Sequence, residues 1–279
     1  MKAMFVLLNG KFEDASKAKV SVADNGFLYG DGVYETLRTY GGRIWQVEVH
    51  LKRLRSSARM LKIEVPWPDA KMDSWLKKLC RLNGFKETRI RISVTRGVNG
   101  MDFVGSRKPT ILIQAAELKE VPSSAKKNGV DAVTVRFQRL LPEAKTISLL
   151  PMILARQAAD KAKAYEALFV DGKGFVLEGT VTNVFMVKNG KVFTPGKDVL
   201  PGTTAEALMK ALKGCGVAVV KRGIRLSELK KADEVFLTNA PRGIIPVRKV
   251  DGAKIGAGKP GPMIVKITRI FKDYICRNI

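Results

Sequence analysis

The sequence predicts an α/β fold in two parts, a small α/β domain over residues 1–117 and a larger β-rich α/β domain over residues 126–279. Three observations carry this expectation. Short apolar runs end at tight-turn pairs: Ala3-Met4-Phe5-Val6-Leu7-Leu8 meets Asn9-Gly10, and Ala167-Leu168-Phe169-Val170 meets Asp171-Gly172. Between such runs lie longer stretches whose apolar residues recur at helical spacing. At 118–125 the chain turns polar and carries Pro122-Ser123-Ser124, the composition of an interdomain linker.

Taken in order, residues 3–12 read as a hairpin, because Asn9-Gly10 supplies the left-handed conformations of a two-residue turn. Residues 30–40 read as a loop feeding a strand that Gly41-Gly42 turns. Alternation places Tyr34, Thr36 and Arg38 on one face of it. Leu51, Leu54, Ala58, Met60 and Leu61 predict a helix over 47–61 that carries Arg53. Pro66-Trp67-Pro68 breaks it, and Asp69 is expected to cap a second helix running to 83. Strands are expected at 88–95 and 110–116, joined by the polar loop around 96–100.

Past the linker, Val130, Ala132, Val133 and Val135 suggest a strand, and 153–164 a helix. Short strands follow at 166–171, 175–177, 183–187 and 191–194, the last two joined through Asn189-Gly190. Thr203 or Thr204 begins a helix to 212. A strand at 234–237 ends at Thr238, and a helix over 259–274, interrupted near Pro260 and Pro262, closes the chain.

The 279 residues, 46% hydrophobic, suffice for one large core or two modest ones. No apolar run approaches the roughly 18 to 20 residues that span a bilayer, and no signal pattern opens the chain, so a cytosolic protein without a membrane partner is expected. Cys80, Cys215 and Cys276 are isolated, and His50 is the single histidine. That inventory supplies no paired zinc spacing and no complete disulfide framework, and no metal is expected. A net charge of +24 would attract nucleic acid, but the basic residues are spread along the chain. The expected reading is a solvated basic surface that favours anionic metabolites, with nucleic-acid binding or a scaffold role as the distant alternative.

Chemistry concentrates in the second half. Lys145 sits in Glu143-Ala144-Lys145-Thr146-Ile147-Ser148-Leu149-Leu150-Pro151, and Glu178 in Leu177-Glu178-Gly179-Thr180-Val181-Thr182-Asn183. A lysine amine can hold an aldehyde cofactor covalently, and a carboxylate can keep a cofactor ring nitrogen protonated so that the ring withdraws electrons. Thr203-Thr204 follows Pro201-Gly202 at a helix start, where backbone N–H groups can meet a phosphate dianion.

These segments, with Val235-Phe236-Leu237-Thr238-Asn239, resemble the class IV pyridoxal-phosphate enzymes of fold type IV: branched-chain aminotransferases, D-amino-acid aminotransferases and aminodeoxychorismate lyases. The resemblance runs over nearly the whole chain. It implies two α/β domains with pyridoxal 5'-phosphate held between them, and a homodimer whose neighbouring subunit helps close the pocket. It implies that Lys145 is catalytic and carries the cofactor, that Glu178 partners the pyridine nitrogen, and that Arg53, Thr203, Thr204, Thr238 and Asn239 surround the phosphate. Tyr34 and Arg38 become substrate-pocket candidates. The implied reaction is a ping-pong transfer of an amino group between an amino acid and a 2-oxo acid.

The branches differ at a few positions. The branched-chain branch carries glycine where this chain has Thr36, and tyrosine where it has Leu150. The D-amino-acid branch clamps the substrate carboxylate with an arginine and a histidine, and Met101 and Phe103 stand at the matching loop positions. An apolar pocket cannot replace a bidentate cation. The expectation is therefore an aminotransferase tolerant of apolar or branched-chain substrates. An aminodeoxychorismate-type lyase, an (R)-amine transaminase and a D-amino-acid transaminase are the alternatives.

Overall fold

The computed structural model describes residues 4–103, 105 and 108–279; Ala3, expected in the first strand, lies outside the described residues. The chain divides into two compact units. One comprises Met1–Lys119, Ala144–Leu149 and Ile279, and the other Glu120–Glu143 and Leu150–Asn278.

The first unit begins with the expected hairpin of β1 (Phe5–Leu8) and β2 (Lys11–Asp14), turned by Asn9 at φ 48° and Gly10 at φ 86°. A short helix not foreseen in the sequence, α1 (Asn25–Tyr29), precedes β3 (Gly32–Tyr40) and β4 (Arg43–Ile44). Helices α2 (Val47–Met60) and α3 (Asp69–Asn83) follow, then β5 (Thr88–Thr95) and β6 (Thr110–Glu117). Pro68, not Asp69, occupies the cap position of α3, and the helix ends at Gly84 in the left-handed region, whose N–H bonds Cys80 O at 2.9 Å. The strands form one sheet in the order β2-β1-β6-β5-β3-β4, and every pairing is antiparallel.

One face of that sheet carries Leu7, Val33, Leu37, Ile90, Ile92, Val94, Ile111 and Ile113 against Leu51 and Leu54 of α2 and Met72, Leu76 and Leu79 of α3. Alternation sends Tyr34, Thr36 and Arg38 to the opposite face, registered with Ser93, Arg91 and Arg89 of β5. The strand edge at the start of β3 is completed from far along the chain. Tyr34 N donates to Lys145 O at 2.9 Å, Ile147 N donates to Gly32 O at 2.9 Å, and Val33 bridges Thr146.

The second unit contains α4 (Ser123–Asn128), β7 (Val130–Arg136), α5 (Leu150–Lys161), β8 (Glu166–Val170), β9 (Phe175–Gly179), β10 (Asn183–Lys188) and β11 (Lys191–Thr194). After these come α6 (Thr203–Gly214), β12 (Val219–Lys221), β13 (Ile224–Arg225), α7 (Leu226–Leu229), β14 (Glu234–Asn239), β15 (Gly243–Val250), β16 (Ala253–Lys254) and α8 (Pro262–Arg277). The strand order is β12-β11-β10-β14-β15-β7-β8-β9-β13, with β16 on β15. An added pairing of Asn183 in β10 with Glu178 in β9 closes the six strands from β10 round to β9 into a barrel-like ring. Its filling includes Val130, Leu168, Val184, Met186, Val235, Leu237 and Ile245.

Two boundaries depart from the sequence reading. Residues 123–128, expected in part as linker, form α4, and the first unit runs on to Lys119. Ala144–Leu149, expected in the second domain, belongs to the first unit because its backbone bonds go to β3 and its Lys145 N–H to Ser57 Oγ at 3.0 Å. The closing helix starts cleanly at Pro262, in the first turn where a missing N–H costs nothing.

Candidate active site

Lys145 is held from both sides of its peptide. Its carbonyl accepts from Tyr34 N, and its N–H donates to Ser57 Oγ of α2, a fully buried side chain. With the backbone fixed, the side chain lays Nζ 4.5 Å from the centre of the Tyr34 ring. Arg91 covers the same ring, with Cζ at 3.9 Å, so Tyr34 lies against two cations. Burial pushes the Arg91 guanidinium down from its usual value, while Tyr34 and a hydrogen bond to it act in the opposite direction. Sequence reasoning missed Arg91. The signal was the register of β3 against β5, which a single strand pattern does not disclose.

Arg38 is on the same face but turned aside, donating from Nε to Thr39 O at 2.9 Å and lying 3.8 Å over the Tyr40 ring. Met101 and Phe103 are brought to neither residue: they are 88% and 72% exposed. Phe103 packs on Tyr29 at 4.9 Å, and the Tyr29 hydroxyl donates to Met101 O at 2.8 Å.

Glu35 points the other way from Tyr34, into the helix side of the sheet, and is fully buried. Arg53 grips it through Nε at 2.6 Å and Nη2 at 2.8 Å, and His50 Nδ1 lies 2.7 Å from Oε2. Burial raises the Glu35 carboxyl, but the charges and hydrogen bonds of Arg53 and His50 prevail and hold it far below the carboxylate range. His50 moves down as well, burial outweighing the attraction of Glu35. A neutral imidazole facing a carboxylate must carry its proton on Nδ1, since the carboxylate only accepts.

In the second unit Glu178, one residue before the end of β9, is buried. Oε1 accepts from Arg139 at 3.0 Å and Oε2 from Leu200 N at 3.1 Å. Arg139, a second residue the sequence did not reveal, compensates the charge of a carboxylate that burial would otherwise penalise. The turn after Glu178 is organised by Glu166, fully buried, which accepts from Thr180 Oγ1 at 2.5 Å and Thr182 Oγ1 at 3.2 Å. Gly179 is required there: a Cβ would lie 2.2 Å from Thr182 Oγ1.

Asn183, paired across strands with both Glu178 and Thr238, joins this turn to the start of α6. Its Nδ2 donates to Leu200 O at 2.8 Å, and its Oδ1 occupies the space a side chain at Gly202 would need. Thr203 and Thr204 are buried in the first turn of α6, where no side chain caps the helix. Thr238 is 1% exposed, and its Oγ1 has no hydrogen-bond partner among the described residues; Nη1 of Arg242, also buried, has none either. Asn239 turns its Oδ1 inward to accept the Arg242 N–H at 2.9 Å.

A buried hydroxyl without a partner is uncommon unless a ligand supplies one. Thr238 Oγ1, on the β14 residue registered with Asn183 of β10, the anchor of an uncapped helix start, suits an oxyanion such as the phosphate of pyridoxal 5'-phosphate. By their chemistry alone, an amine such as that of Lys145 can bond its aldehyde and a buried carboxylate such as Glu178 can pair with a protonated ring nitrogen. The residues present fit the group.

Comparison with known proteins agrees. Residues 32–250 match the family model described as amino-transferase class IV. A provisionally named branched-chain-amino-acid aminotransferase of Methanocaldococcus jannaschii is 38% identical over 97% of this chain and 96% of its own length. A D-alanine aminotransferase of Bacillus licheniformis is 31% identical over 98% and 97%. Among solved structures, a T.th. branched-chain amino acid aminotransferase with pyridoxamine 5'-phosphate superposes with a TM-score of 0.93 at 27% identity, covering 99% of this chain and 96% of that one. The Escherichia coli branched-chain enzyme does so with a TM-score of 0.92 at 28% identity, covering 98% and 95%. The chain belongs to the class IV aminotransferases, the pyridoxal-phosphate-dependent transaminases of fold type IV.

Proposed function

We propose that the protein exchanges amino groups between apolar or branched-chain amino acids and a 2-oxo acid, with Lys145 as the catalytic base. The observation that carries this reading is the Lys145 amine held 4.5 Å from the Tyr34 ring by a backbone bonded at both its N–H and its carbonyl. When bound, the cofactor supplies an electron-withdrawing ring that stabilises charge developing at the substrate α carbon. Lys145 would hold the cofactor through its amine, and the same amine would move the proton at the substrate α carbon. Glu178, fixed by Arg139 and Leu200 N, would set a negative charge against the ring nitrogen. Thr203, Thr204, Thr238 and Arg53 would hold the phosphate. Tyr34, with Arg91 behind it, forms a wall of the substrate pocket, and its cationic side suits a carboxylate.

The exposed apolar surface of Phe27, Met101 and Phe103 supports assembly of two copies, which would turn Met101 and Phe103 into pocket residues. Among the described residues no helix is long and apolar enough to cross a membrane, and three free cysteines suit the cytosol.

A second reading, transamination of D-amino acids, is supported by the similarity to D-alanine aminotransferase. Absorbance of the cofactor-loaded protein after separate additions of L-leucine, L-glutamate, D-alanine and an (R)-amine separates the two. Conversion of the cofactor to its amine form by L-leucine, reversed by a 2-oxo acid, is the expected result. Conversion by D-alanine alone moves the assignment to the second reading, and no exchange with any donor overturns transamination in favour of a lyase.

A further inference from the structure

We propose that Glu35 and His50 are positioning residues for the cofactor phosphate, acting by fixing the plane and charge of the Arg53 guanidinium. The inference rests on the reading of Arg53 as a phosphate ligand. Its starting point is a buried cluster that the transamination chemistry does not otherwise use.

Glu35 receives Arg53 Nε at 2.6 Å, Arg53 Nη2 at 2.8 Å, His50 Nδ1 at 2.7 Å and the Thr36 N–H at 3.3 Å. The two-point grip along the Nε–Nη2 edge removes the rotational freedom of a long side chain and turns Nη1 away from Glu35. His50 locks the carboxylate in turn, because Oε2 is shared between the imidazole and Nη2. Side-chain exposures of 0% for Glu35, 1% for His50 and 10% for Arg53 leave little water to do the same work. Arg53 without Glu35 would be a desolvated cation free to swing. With Glu35 it is a neutralised pair of defined orientation, which a dianion can approach without first ordering it.

Helix α2 also reaches the lysine peptide. His50, Arg53 and Ser57 occupy one side of α2, and Ser57 is the acceptor of the Lys145 N–H. One rigid element thus fixes both the cation and the peptide of the lysine that bonds the cofactor aldehyde.

The test compares the dissociation constants of pyridoxal 5'-phosphate and of pyridoxal, which lacks the phosphate, for the wild type, R53Q, E35Q, H50L and H50N. R53Q reports on the underlying reading: it should weaken the phosphorylated cofactor and spare pyridoxal. H50L and E35Q should follow the same pattern, with about tenfold weaker binding of the phosphorylated form and little change for pyridoxal. H50N, whose amide nitrogen falls near the place of Nδ1, should recover most of the loss. If R53Q affects both ligands alike, the phosphate reading of Arg53 fails and this inference falls with it. If R53Q discriminates while H50L and E35Q weaken both ligands equally or neither, Glu35 and His50 are structural only and the inference alone is overturned.

Discussion

Ser57 and Lys145, 88 residues apart in sequence, share a hydrogen bond of 3.0 Å from the Lys145 N–H to the Ser57 hydroxyl. It ties the lysine segment to a helix packed in the core. S57A should destabilise the protein by about 1–3 kcal/mol for the donor left unmade, offset by roughly 0.5 kcal/mol from the better helix propensity of alanine. Transamination should slow as the lysine loses its anchor. Urea unfolding and initial rates measure both; unchanged values would mean the bond does not constrain Lys145.

Acid should unfold the protein in two limbs. His50 and Glu35 are both shifted down in the folded state. The unfolded chain therefore takes up a proton on histidine below about pH 6.5 and on glutamate below about pH 4.3, while the folded protein resists both. Stability is whole above the first value and declines as pH falls through each in turn. Because His50 is the single histidine, H50N should erase the upper limb and leave the lower one. A urea midpoint followed from pH 8 to pH 4 reads this directly, and an upper limb that survives in H50N refutes the assignment.

Gly202 has an ordinary backbone conformation, so only space restricts it: a Cβ there would sit 1.8 Å from Asn183 Oδ1. G202A should cost about 1–3 kcal/mol through overpacking and release cofactor more readily, since the start of α6 must shift. Adding N183A should restore part of the stability. Gel filtration of loaded protein with absorbance detection, alongside thermal unfolding, gives both quantities. A double variant no more stable than G202A would show that Asn183 is not the obstacle.

Thr180 spends its hydroxyl on Glu166. T180V should lose about 1–3 kcal/mol by leaving a buried carboxylate short of a donor. It should also alter the absorbance of the bound cofactor, because the turn carrying Glu178 loosens. Stability that falls with an unchanged spectrum would confine Glu166 to a packing role.

Much of this was legible in the sequence for local reasons. Asn9-Gly10 and Asn189-Gly190 announce their hairpins because few other pairs accept two left-handed conformations in a row. The apolar spacing of α2 and α3 reveals the face they bury. Lys145, Glu178 and the threonine pair stand in contiguous motifs. What stayed hidden depends on register and distance. Arg91 meets Tyr34 only through the β3–β5 pairing, and Arg139 reaches Glu178 across 39 residues. Glu35 and His50 are ordinary residues until a strand and a helix bring them face to face with Arg53, which the family resemblance already singles out. Residues 123–125, the first half of α4, carry a weak apolar pattern and no buried side chain, which is why they read as linker.

The return of Ala144–Leu149 to the first unit has a consequence for how the protein is made. Synthesis must pass well beyond Lys119 before the β3 edge can acquire its last backbone partners, so the amino-terminal unit cannot finish folding on its own as the nascent chain emerges. Until then Gly32 and Tyr34 present an open edge of the kind that recruits stray strands. The two units are interleaved along the gene: a contiguous first unit would leave the lysine peptide behind, and a contiguous second unit would carry it away from the strand it completes.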